Sequence, residues 1–150
     1  MQEFVEQPKP CTPENFARLM LTFFRSAAAS GLADILAHPL FTMGYDDIYD
    51  RTISAISDTE LTDAFGIAAS NHVAIEINGS LLRAQKQKQK FSMETLLRVF
   101  SLAKHSGCRF TFGSDAHSPE ELDNLLFCEE FADRLGLEEA DLATLVAGRS

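Results

Sequence analysis

Three stretches of the sequence end in residues suited to polar chemistry. His38 follows Asp34-Ile35-Leu36-Ala37, Asn78 follows Val73-Ala74-Ile75-Glu76-Ile77, and Ser114-Asp115-Ala116-His117 follows Arg109-Phe110-Thr111-Phe112-Gly113. Imidazole and carboxylate are ligands for divalent zinc, manganese or iron. Asp115 and His117 lie two apart, so in extended backbone both side chains face one side, and Gly113 lets the chain turn close by. With His38 on the same rim, three donors would converge. Each residue also has a plainer role open to it: His38, before Pro39, as a hydrogen-bonded strand-end residue, Asp115 as a turn cap, and His117 as a solvated side chain beside Ser118. Glu76 alternates with Ile75 and Ile77 and points away from them, toward a polar interior or against a helix. A buried carboxylate without a partner is costly, so Glu76 needs one, in a structural or a functional role.

Other reactive residue types sit in less promising places. His72 and His105 fall at helix-to-strand turns, on the opposite rim, and read as surface residues. Cys11, Cys108 and Cys128 are three in number and widely spaced, without a C-x-x-C pair, which fits neither a disulfide framework nor a zinc ribbon and suits a reducing compartment. Cys108 has no activating neighbour in the sequence. Residues 83–90 (Arg83 with Lys86, Lys88 and Lys90) form the only basic cluster, expected as a polar low-complexity loop within reach of a substrate phosphate.

The elements needed to position these residues are readable from caps and periodicity. Thr12 and Pro13 open a helix that Gly31 closes, with Phe16, Leu19, Met20, Phe23, Phe24 and Ala27 as its apolar stripe. A weaker helix is expected from about Asp46 to Ile56. Ser57-x-x-Glu60 has capping-box spacing before the next, and Ser92 caps a helix that turns Leu96, Leu97, Phe100 and Ala103 inward. Ser118-Pro119-Glu120-Glu121 is the clearest helix start, with helices expected at about 119–135 and 138–147 around Gly136. Short strands separated by helices require crossovers, so the sheet is expected to be parallel and the fold α/β. In a parallel sheet all carboxyl-terminal strand ends share one face, the usual place for catalysis in such folds.

Composition limits the function classes. The chain has 150 residues, 45% hydrophobic with twelve Phe, enough for one domain with its own core and too apolar for a disordered chain. A net charge of −9 disfavours tight binding to nucleic acid or to an anionic membrane. The acidic amino-terminus is not a secretory signal, and the longest apolar stretch, Leu19 to Ala29, contains Arg25 and is short of the roughly 18 residues of a membrane span. A cytoplasmic location is expected.

The motifs D-I-L-A-H-P (34–39), A-I-E-I-N (74–78) and F-G-S-D-A-H (112–117) resemble, in order, the later motifs of the PHP (polymerase and histidinol phosphatase) family. The resemblance runs from about residue 12 to the carboxyl-terminus. It implies a distorted, TIM-like β/α barrel with a cluster of two or three divalent metals (Zn, Mn or Fe) that hydrolyses a small phosphate ester. By that resemblance His38, Asp115 and His117 are metal ligands and catalytic residues, while Asn78 and Arg83 bind substrate, Arg83 as a phosphate contact.

The sequence departs from the family in lacking an H-x-H motif, and a full barrel takes about 250 residues. The expectation is therefore an extended arm over 1–11 and, over 12–150, the carboxyl-terminal portion of a PHP-like barrel with a parallel sheet and flanking helices. Its open edge would associate with a second copy or with a missing amino-terminal half. The activity implied is metal-dependent phosphoesterase chemistry completed by ligands from elsewhere. Two alternatives stand beside it: a non-catalytic metal-binding or structural remnant that assembles with a partner, and a metal hydrolase acting on C–N bonds in a related barrel.

Overall fold

The computed structural model describes residues 12–42 and 44–144. The expected arm, Cys11 and the end of the expected last helix lie outside them. The first helix, α1 (Pro13–Ala29), begins as its sequence signals require: the Thr12 hydroxyl accepts the Asn15 N–H at 3.2 Å, and Gly31 takes a left-handed φ of 71° just past the end. Its buried face is Phe16, Ala17, Leu21, Phe24 and Ala28, rotated from the expected stripe, and Phe23 remains 49% exposed. Small residues at 17 and 28 let the helix lie close to its neighbour, where Phe24 meets Phe65 edge-on at 5.3 Å.

The two-residue strand β1 (Ile35–Leu36) follows, then a 3-10 turn (Asp46–Ile48), α2 (Tyr49–Ser54) and α3 (Asp58–Ser70). The capping box is complete: Ser57 Oγ accepts the Glu60 N–H and the Glu60 carboxylate accepts the Ser57 N–H. Next come β2 (Ala74–Asn78), α4 (Gly79–Lys88), α5 (Met93–His105, capped by Ser92) and β3 (Phe110–Gly113). The sheet is parallel with strand order β1-β2-β3. Its register pairs Ile35 with Ala74 and Asn78 with Gly113, so β2 and β3 end level with each other. Ile75, Ile77 and Phe110 carry the sheet's share of a core completed by Phe65, Leu96 and Phe131.

Three expectations are corrected. Residues 83–90 are not a loop: α4 runs to Lys88, and Gln89 ends it in a left-handed conformation. Arg, Ala, Gln and Lys are good helix formers, and burial of Leu81 and Leu82 anchors the polar segment to the core. Ser118 does not cap an α-helix. Residues Pro119–Asn124 form 3-10 turns without a side-chain cap bond, Glu121 turns back to the His117 N–H, and α6 spans Leu125–Leu135. Nor does a helix start at 138: Glu139–Asp141 is one 3-10 turn, after which Leu142 is extended and bridges Phe110 in parallel. Among the described residues no helix is long and apolar enough to cross a membrane.

Candidate functional site

The carboxyl-terminal ends of the strands bring together residues widely separated in sequence. Glu76, half-buried on the central strand, accepts through one oxygen, Oε2, both the main-chain N–H of His38 at 2.7 Å and the side-chain amide of Asn78 at 3.1 Å. Its other oxygen lies over Gly113, where an added Cβ would overlap the carboxylate. Glu76 thus touches the ends of all three strands. Two N–H donors stabilise its charge, and among the described residues it forms no ion pair with Lys, Arg or His. The sequence requires a partner for Glu76 and leaves its role open, structural or functional; the structure supplies two donors.

Asn78 is 3% exposed and serves two partners. Its amide donates to Glu76, and its Oδ1 accepts the Leu81 N–H at 2.9 Å, which caps α4. α4 then carries Arg83 to the loop after β3. Arg83 Nη1 donates to Asn124 Oδ1 at 3.1 Å and lies 3.8 Å from Glu121 Oε1. Asn124, 2% exposed, donates from its amide to the Ser114 carbonyl at 3.2 Å. Close packing supports this link, because a Cβ on Gly79 would strike the Asn124 carbonyl. Asn124 is a residue that sequence reasoning missed, since nothing in its local pattern marks a partner 41 positions away.

Asp115 and His117 come together as expected, with Nε2 3.8 Å from Oδ1, but not through extended backbone. Asp115 has φ of 52°, so a left-handed turn rather than strand alternation brings the pair into proximity. His38 is also left-handed, with φ of 32°. Such conformations cost about 1–3 kcal/mol in non-glycine residues and persist only where the surroundings impose them. The His117 side chain is 84% exposed. Among the described residues no three His, Cys, Asp or Glu side chains are grouped so as to hold a metal ion. His38 does not join the Asp115–His117 pair in such a group.

The remaining reactive types are placed outside the rim chemistry. The Cys108 thiol is buried, donates to the Phe65 carbonyl, and is pushed up to about 12 by desolvation. Desolvation, aided by the charge of Glu76, pushes the Cys128 thiol up to about 11. Neither is a ready nucleophile. His72 and His105 are exposed at the opposite ends of the strands, as expected. Of the basic cluster, Lys86 pairs with Glu130 at 2.8 Å and Lys90 with Asp47 at 3.5 Å, so these ammonium groups turn to neighbouring acids.

Over 77 residues, 51% of the chain, the sequence is 32% identical to a probable phosphatase of Vibrio campbellii and 34% identical to a probable phosphatase of Vibrio parahaemolyticus. The match spans 30% of the length of each of these relatives. No family model and no solved structure matches the chain.

Proposed function

We propose that this chain carries part of the active site of a PHP-type phosphoesterase, acting on a small phosphate ester. The observation that carries the reading is that His38, Asn78 and the Asp115–His117 pair follow the ends of adjacent parallel strands, with Arg83 tied to the segment after β3 through Asn124, in a chain similar to two probable phosphatases. In this reading the sheet and residues 12–150 are the carboxyl-terminal portion of a β/α barrel. His38, Asp115 and His117 are part of a ligand set for a divalent ion (Zn, Mn or Fe), and the further donors come from outside the described residues. Such an ion would supply a bound water of lowered pKa. Arg83, steadied by Asn124 and Glu121, neutralises a phosphoryl oxygen, and Asn78 lines the substrate side of the rim. No contact with nucleic acid or membrane is part of the reading, and the free thiols of Cys108 and Cys128 suit the reducing conditions of a cytoplasm.

The solvated His117 ring, 84% exposed, favours one second reading, a structural module that assembles with a partner and performs no chemistry. One experiment separates the two. The chain is assayed with p-nitrophenyl phosphate and Mn²⁺ or Zn²⁺, alone and mixed with the segment of the Vibrio campbellii relative that lies outside the match. Turnover in the mixture only, reduced about 100-fold or more by Asp115→Ala, supports the phosphoesterase reading. No turnover in the mixture, or turnover undiminished in Asp115→Ala, rejects it.

A further inference from the structure

We infer that Glu76 is a positioning residue, one that works through the reach of its acceptor oxygen rather than as a ligand or a base, and that it sets the place of His38. The inference rests on the site reading above for its functional consequence, but not for its geometry. His38 stands two residues beyond the short strand β1, in a left-handed backbone conformation that non-glycine residues seldom adopt. Something must hold it there. A two-residue strand supplies little, since its register covers only Ile35 and Leu36. The bond that crosses to the turn is the one from the His38 N–H to Glu76 Oε2, at 2.7 Å short enough to be charge-assisted.

The rest of the local design serves that bond. The Asn78 amide donates to the same oxygen and restrains the carboxylate, while its own Oδ1 is tied to the start of α4. Gly113 leaves room for the other oxygen, which any side chain at that position would displace. Glu76 therefore links the turn after β1, the cap of α4 and the end of β3 through one side chain. Oε2 has taken two donors, and Oε1 packs beside Gly113, where no side chain displaces it.

Reach and charge can be separated by substitution. In Glu76→Gln the carboxamide oxygen extends equally far and still accepts, though the charge is lost. In Glu76→Asp the charge stays and the acceptor retreats by about 1.5 Å, too far for a hydrogen bond. Amide hydrogen exchange of the full chain, followed by ¹H–¹⁵N NMR, should show His38 protected in the parent and in Glu76→Gln, and at least about tenfold faster exchange in Glu76→Asp. In the phosphatase mixture kcat should follow the same order, within about threefold for Glu76→Gln and down about 10- to 100-fold for Glu76→Asp, with KM little changed. A ligand or base would reverse the order, with Asp tolerated better than Gln. An unprotected His38 amide in the parent, or its loss of protection in Glu76→Gln, overturns the inference, and the second result decides the matter even if Glu76→Asp does not fold. If the mixture shows no turnover, the phosphoesterase reading falls while the amide measurement still tests the placement of His38.

Discussion

The two halves of the strand-end rim differ in what they leave exposed. On the β1–β2 side Glu76 and Asn78 bond to each other, to the His38 main chain and to the first turn of α4, and Asn78 is buried. After β3 side chains likewise hold the main chain, Glu121 at the His117 N–H and Asn124 at the Ser114 carbonyl, but the Asp115 and His117 side chains face outward. The first arrangement fixes geometry and the second leaves donor groups available. Under the phosphoesterase reading proposed above both would serve, a rigid frame and donors open to a ligand.

That contrast predicts unequal responses to substitution. The largest change in stability is expected at the frame, from Gly113→Ala. The added methyl overlaps Glu76 in the middle of the rim, and urea denaturation should show a loss of about 1–3 kcal/mol. Asn78→Ala removes an α4 cap and a donor to Glu76 together and should cost about 1–2 kcal/mol by the same measurement, with reduced helicity in circular dichroism. His117→Ala should change stability by no more than about 0.5 kcal/mol, because the ring is solvated. A large loss there would show that the exposed half is also part of the frame, and a neutral Gly113→Ala would show that Glu76 has room to move.

Much of the frame was legible along the chain. Thr12 with Pro13, Ser57 with Glu60, and Ser92 each marked a helix start that the structure keeps, because capping is a contest among residues three positions apart. The strands were found for a related reason, as short apolar runs between punctuating residues. Local signals failed where a distant surface outweighed them. The run from Arg83 to Lys88 reads by its polarity as a solvated loop, but its residues are good helix formers, Leu81 and Leu82 seat it on the core and Glu130 pairs with Lys86. Ser118-Pro119 has the pattern of an α-helical cap, but Asn124 is drawn toward Arg83 and Ser114, and the segment tightens into 3-10 turns instead.

The order of amino acids was enough to set which polar residues end which strands, and hence that His38, Asn78 and the 114–117 stretch share one face of a parallel sheet. It did not set who holds whom across that face. The pairing of Glu76 with the His38 main chain, the span of Asn124 between Arg83 and Ser114, and the outward turn of His117 depend on contacts 10 to 41 residues apart in the chain or on the packing around them. Periodicity and capping act over one or two helical turns, whereas a hydrogen bond between strand ends exists only after the strands have closed the loops between them.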